Sequence, residues 1–513
     1  MKKEDNQKEE NQLQELLKRY MEISSKIQHY REMAGLAHWD MATYAPKEGR
    51  NIRSEALGTL STEAFKMSVS PEMQHLLGEF SREKYYNELP EKYQKSIEKD
   101  VKHLEKFQKI PEEEYRDYVI LTSRAQNIWE KAKADDDFEI FRPYLEKIVD
   151  FNRRMSERLG YEGHAYNALL DRFEEGMTVE KLDAIFGELK EGVLNILNKI
   201  QNASKKPNKR LESVKLPVEK QKILSEKILK KIGYDFECGR LDESIHPFTI
   251  GLNPKDVRVT TRYQEDFFKT ALFGTIHEGG HGMYEQNIPM ELFKTSAGSA
   301  ASTGMHESQS RFWENVVGRS EFFWKGLLPE FQELFQEEVK NVSLEEMVEY
   351  INIVEPSMIR VEADELTYSL HIILRYELEK DLIGGKISVE ELPERWNEKM
   401  EDILGIKPRD NREGVLQDMH WAGGMIGYFP TYALGNLYAL QLTKTLQEDV
   451  PEFNSHIEHQ NFAPIKEWMV KKVHHRGSLR TAEELIEEIT GEGLTVKPYL
   501  SYLDEKYQKI YQY

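Results

Sequence analysis

The chain has 513 residues, 39% of them hydrophobic and 11% aromatic, enough apolar material for a large folded core; length alone would suit roughly two to four domains. Its formal net charge of -20 disfavours nucleic acid as a partner, and no apolar run approaches the roughly 18 residues of a membrane span. Cys238 has no second cysteine to pair with, and the opening Met-Lys-Lys-Glu-Asp-Asn-Gln-Lys-Glu-Glu lacks an apolar signal core, so the cytoplasm is the expected location.

Along the chain, Leu13, Leu16, Leu17, Tyr20, Ile23, Ile27 and Tyr30 recur at steps of three and four with charged residues between them. This predicts an amphipathic helix of about five turns. The same periodicity over 97–109, 179–202, 331–339 and 359–380 predicts further helices. Residues 205–231 are locally basic, with Lys205, Lys206, Lys209 and Arg210, but glutamates interrupt the run; it reads as a solvated loop followed by a surface helix. Over 248–263 the period changes to two. Phe248, Ile250 and Leu252 alternate, Asn253-Pro254-Lys255-Asp256 supplies a turn, and Val257, Val259 and Thr261 alternate after it. A β-hairpin is expected there. No repeat and no Pro- or Gly-rich linker cuts the chain. The expected fold is mainly α: a single large helical unit, 1–513, with a deep cleft, a small hairpin or sheet beside one central helix, and N-terminal helices (about 1–110) as a lid.

That central helix carries His277-Glu278-Gly279-Gly280-His281. Residues four apart lie one turn along the same helix face, so both imidazoles can hold one metal ion. Zinc accepts neutral imidazole and tolerates an open fourth position. Glu278 projects to the neighbouring side, where a carboxylate can take a proton from water that the metal acidifies. The bland alternative is a helix with two unrelated surface histidines. Adjacent glycines cost up to about 1 kcal/mol each in a helix, which suggests a need for room beside a metal or substrate. A third ligand at His281 plus six is ruled out, because Asn287 stands there and Tyr284 replaces the glycine of that pattern. The ligand must come from another helix. Ser302 or Thr303 can cap one, and Glu307 on it is the candidate, against the reading of a solvated helix charge.

Five motifs in order then resemble the carboxypeptidase Taq family of zinc metallocarboxypeptidases, almost end to end. They are His246-Pro247-Phe248, Asp256-Val257-Arg258-Val259-Thr260, the His277–His281 motif, His306-Glu307-Ser308-Gln309, and Gly414-Val415-Leu416-Gln417-Asp418-Met419-His420-Trp421. The resemblance implies zinc on His277, His281 and Glu307, Glu278 as general base, release of single amino acids from peptide C-termini, and a mostly helical homodimer. Cobalt or manganese also suits such a donor set.

Beyond His420, Gly423, Gly424 and Gly427 lead into Tyr428-Phe429-Pro430-Thr431-Tyr432, where Pro430 can begin a helix. By analogy with related helical zinc peptidases, His420 and Tyr432, with Tyr428 as alternative, are expected to stabilise an oxyanion; the plain alternative is aromatic core. A free C-terminal carboxylate suits an arginine fork. Arg360, read as near a helix start that also favours an anion, is expected to bind it directly, and Arg258 to close the far end of the cleft. Surface salt bridging is the alternative for both. His246 is expected to line the cleft end and His306 to support the ligand beside it. Two rival functions remain open at this stage: a zinc oligopeptidase or endopeptidase with the same core, and a non-catalytic helical peptide-binding protein.

Overall fold

The protein is described here by a computed structural model covering residues 2–513. Apolar periodicity becomes helix where a stripe and a cap coincide. Val179–Asn202 is the clearest instance. The Thr178 side chain accepts the Lys181 N–H, and Leu182, Phe186, Leu189, Val193 and Ile196 form one buried stripe. The predicted N-terminal helix extends in both directions to Lys2–Ala42. The predicted helix over 359–380 is instead a 3-10 turn, Arg360–Glu362, and then a helix, Tyr368–Ile383. Asp364 accounts for the break: its Oδ1 accepts the N–H groups of Leu366 and Thr367 at 3.0 and 2.9 Å, and its Oδ2 accepts the Thr367 hydroxyl at 2.7 Å. Such local side-chain bonds compete with helix continuation.

The expected hairpin forms as β2 (Thr249–Asn253) and β3 (Asp256–Thr261), antiparallel, with a register irregularity between Gly251 and Asn253. A further strand, β1 (Gly239–Glu243), pairs parallel with β3 and gives the order β1-β3-β2. Its sequence, Gly-Arg-Leu-Asp-Glu, has no apolar alternation to announce it.

The chain divides into two compact units, each assembled from three stretches. The first comprises the N-terminal stretch to Gln108, Lys215–Ala301 and His459–Arg480. Its N-terminal helices pack around Tyr20, Leu76, Leu77, Phe80 and Ile97. The metal-binding candidate helix, Phe268–Gln286, lies in this unit against β3 on one side and helix Val218–Ile232 on another. The second comprises Lys109–Val214, Ser302–Glu458 and Thr481–Tyr513. Its centre is the helix Pro430–Asp449, buried along most of its length, to which Thr303–Arg311 packs closely. Among the described residues, no helix is long and apolar enough to cross a membrane.

Candidate metal centre and active site

On Phe268–Gln286, His277 and His281 meet edge to face one turn apart, with ring centroids 4.9 Å apart and an interplanar angle of 78°. Glu278 is buried, and its Oε2 accepts the Thr249 hydroxyl of β2 at 2.7 Å; the same hydroxyl lies 2.9 Å from the Glu278 carbonyl oxygen. Gly279 has a different purpose from the one its sequence context suggests. A Cβ there would meet Leu229 Cδ2 at 2.5 Å and Ile232 Cδ1 at 3.2 Å. The missing side chain makes room for helix Val218–Ile232 rather than for a metal or substrate. Gly282 does the same toward Tyr234 and Val259.

Glu307 sits on the helix Thr303–Arg311, capped by Ser302, whose hydroxyl accepts the Met305 N–H at 2.9 Å. It is no solvated charge: only 4% of it is exposed. Its Oε1 accepts Arg311 Nε at 2.7 Å and its Oε2 the Ser310 hydroxyl at 3.3 Å. Candidate ligand atoms of His277, His281 and Glu307 all lie within 4.8 Å of one another. Two imidazole nitrogens and a carboxylate oxygen are the donor types of a catalytic zinc site. The bonds from Arg311 and Ser310 are the outer support that a ligating carboxylate ordinarily has. The residues present therefore fit a metal.

The second group of predicted residues surrounds Asp418. Its Oδ1 accepts Arg360 Nη2 at 2.8 Å and Nε at 3.1 Å, and its Oδ2 accepts Arg375 Nε at 2.6 Å. Burial opposes charge on Asp418, but Arg360 and Arg375 outweigh it and hold the carboxyl far below the usual carboxylate range. Arg360 Nη1 also donates to the Tyr368 hydroxyl at 3.1 Å, and its guanidinium lies 5.0 Å from the Tyr432 ring centroid. Arg360 is thus not a surface ion pair. Nor does it stand at the start of a long helix, and the argument from a helix N-terminus does not apply to it.

His420 Nε2 is 3.1 Å from the Tyr432 hydroxyl, at the first turn of Pro430–Asp449, which begins at Pro430 as its sequence predicts. Burial pushes His420 down to about 3, against the pull of Asp418, so the ring is neutral through the neutral range. Tyr428 stands 5.2 Å from Tyr432, ring to ring, and burial raises it to about 12. Arg258, on β3, makes a bidentate pair with Asp256, both bonds 2.8 Å, and lies 4.2 Å from the Trp39 ring centroid. His246 is exposed between β1 and β2, and its carbonyl accepts the Ser244 hydroxyl.

Sequence reading missed Thr249, Arg311, Tyr368, Arg375 and Glu379. Arg375 carried a usable signal: it follows directly on Leu370-His371-Ile372-Ile373-Leu374, and a charge at the end of such a largely apolar run needs a partner. Glu379 carried none, since it stands among the charges Glu377, Lys380 and Asp381. Thr249 carried none, since its partner is fixed only by the fold.

The profile of the carboxypeptidase Taq (M32) metallopeptidase family matches residues 19–507. The chain belongs to this family and is a metallocarboxypeptidase, a hydrolase acting on peptide bonds. Carboxypeptidase 1 of Bacillus subtilis is 47% identical over 494 residues, 96% of this chain and 98% of its own. Among solved structures, an M32 carboxypeptidase from Deinococcus radiodurans R1 superposes with a TM-score of 0.93 at 32% identity, covering 97% of this chain and all of that one (100%). Trypanosoma cruzi metallocarboxypeptidase 1 superposes with a TM-score of 0.91 at 35% identity, covering 96% and 99%.

Proposed function

We propose that the protein removes single amino acids from the C-termini of peptides by zinc-dependent hydrolysis. The grouping of His277, His281 and Glu307 beside a buried Glu278 carries this reading. The three side chains would hold the ion, whose chemistry when bound is to acidify water and polarise a carbonyl. Cobalt and manganese suit the same donors. Glu278 takes the proton of the attacking water and passes it to the leaving amine, and Thr249 orients its carboxylate for both transfers. Neutral His420 and Tyr432 stabilise the oxyanion as a pair, the His420 Nε2–H donating to the Tyr432 hydroxyl and that hydroxyl donating to the oxyanion, with Tyr428 beside them. Arg360 binds the substrate carboxylate with N–H groups beyond those given to Asp418 and Tyr368, while Arg258 and His246 close the far end of the cleft. Strand β2 has β3 on one side only in the three-stranded order, and its other edge suits an extended substrate. A cytoplasmic homodimer completes the proposal, and light scattering on the purified protein tests the dimer.

Two peptides identical except for a C-terminal amide test the direction of cleavage. The free acid is expected to shorten by one residue at a time and the amide to be a poor substrate. Arg360→Ala should reduce the preference for the free acid about ten- to a hundredfold, as expected for loss of a charge-assisted contact, a ratio that general damage to the fold does not change. Internal fragments appearing first from both peptides would favour the endopeptidase reading instead.

A further inference from the structure

The helix that carries Glu307 is held at its N-terminus by a residue that no step above uses. A helix leaves its first four N–H groups without intrahelical partners. Here the three at the start of the helix have partners outside its ladder. Thr303 N donates to the Phe173 carbonyl at 3.1 Å, Gly304 N to Glu174 Oε2 at 3.1 Å and Met305 N to the Ser302 hydroxyl at 2.9 Å; His306 N then begins the ladder at the Ser302 carbonyl, at 3.0 Å. Glu174 ties this end to the rest of its unit. Its Oε1 accepts the Ser302 hydroxyl and the Tyr438 hydroxyl, both at 2.8 Å. Its side chain is 2% exposed.

Tyr438 lies on Pro430–Asp449, three residues after Gly435 and so on the same helix face. At Gly435 a Cβ would meet Glu307 Cγ at 2.4 Å and Cβ at 2.7 Å. The short helix is therefore fixed against one face of the long one at two points. At one, the stem of Glu307 lies in the space glycine leaves. At the other, Glu174 joins the helix start to Tyr438. Gly304 completes the fit, since a Cβ there would meet Glu174 Oε2 at 2.7 Å and Tyr438 Cε2 at 3.2 Å. Phe173, the neighbour of Glu174, also contacts the Tyr428 ring, at 5.2 Å between centroids.

We propose that Glu174 is a positioning residue for the metal centre: by clamping the start of helix Thr303–Arg311 to Tyr438, it sets the depth and rotation at which Glu307 presents its carboxylate. The proposal rests on Glu307 being a ligand. Burial pushes the Glu174 carboxyl up to about 7, against its hydrogen bonds from Ser302, Tyr438 and Gly304. A carboxylate kept in so dry a place is costly unless its geometry is needed.

Glu379 supplies a matched control. It is also fully buried and also raised to about 7, and it accepts bonds from Tyr166, Trp421 and Gly427 rather than from the Glu307 helix. Zinc affinity is measured by competition with a chelator on the full chain, with thermal unfolding of the apo form alongside. Glu174→Ala is expected to bind zinc about ten- to a hundredfold more weakly, the usual cost of losing outer support for a ligand. Glu379→Ala should lose comparable apo stability and keep parental affinity. Hydrogen exchange should quicken at residues 303–307 in Glu174→Ala and not in the control. If Glu174→Ala does not fold, Tyr438→Phe, which removes one bond to the clamp, should show the same changes at smaller size. Parental zinc affinity and parental exchange in whichever of these variants folds would overturn the proposal. Glu307→Ala separates the two failures. Should it bind zinc normally, the ligand assignment itself falls; should it lose zinc while Glu174→Ala does not, only the clamp falls.

Discussion

The metal helix Phe268–Gln286 and the segment 414–427 carry the proposed chemistry, and they are built in opposite ways. On the helix, spacing does the work. Two histidines four residues apart share a face because the helix repeats every 3.6 residues, and the Thr249 hydroxyl of the neighbouring strand donates to Glu278. The segment 414–427 contains neither strand nor long helix. Its shape comes from groups distant in sequence. Helix Tyr368–Ile383 places Arg375 on Asp418 and, one turn later, Glu379 on Trp421 and the Gly427 N–H. Helix Glu112–Asp135 donates from Trp129 to the Leu416 carbonyl, from Lys133 to the Gln417 carbonyl and from Tyr118 to the Gly424 carbonyl. Gly424 and Gly427 have φ of 71° and 98°, where a side chain is strained, and a Cβ on Gly424 would meet the Tyr118 hydroxyl at 2.2 Å. Chemistry on the metal helix should therefore be removable one group at a time. Chemistry on the segment should fail with its supports.

The largest effect tests the first half of that contrast. His277→Ala and His281→Ala are expected to lose most bound metal and nearly all turnover while remaining folded, as metal analysis and circular dichroism would record. A variant that unfolds instead would make the metal helix as dependent on its site as the segment is.

Next is Asp418→Asn. It leaves Arg360 and Arg375 buried beside a neutral amide, and breaking a buried ion pair costs about 3–5 kcal/mol. Urea unfolding should register this together with a fall in turnover. Loss of turnover at parental stability would mean that Asp418 acts in the chemistry rather than as a brace.

The smallest effect is a change of slope. Burial raises the folded-state value of Glu379 to about 7, above the roughly 4.3 of an unfolded glutamate. Its contribution to stability is then fully present below the lower value and is lost as pH rises through the upper one. The stability difference between the parent and Glu379→Gln, measured on the metal-free forms, should shrink between about pH 4 and 7. A constant difference would show that Glu379 is not buried with a raised value.

The same contrast explains what was readable in the sequence. Helix Val179–Asn202, the hairpin β2–β3, the Ser302 cap and the Pro430 helix start all follow from local periods and caps, and all appear where expected. His277 and His281 were legible for the same reason, and Glu307 through its cap and its motif. The 3-10 turn at Arg360 was not, because Asp364 reverses the local helical pattern through bonds that a periodicity count cannot see. Strand β1 was not, because its register with β3 is a long-range choice. The purpose of Gly279 was misread because the helix that needs the space is about 50 residues away in sequence.

The central claim is that Glu278 moves the proton on a metal centre that does not need it for assembly. Zinc stoichiometry and turnover of Glu278→Gln, measured on the same sample, test it most directly. The amide keeps the size of the side chain and loses the basic oxygen, so zinc content should match the parent while turnover falls by about 10² to 10⁴. Turnover near the parental rate at full zinc content would contradict it.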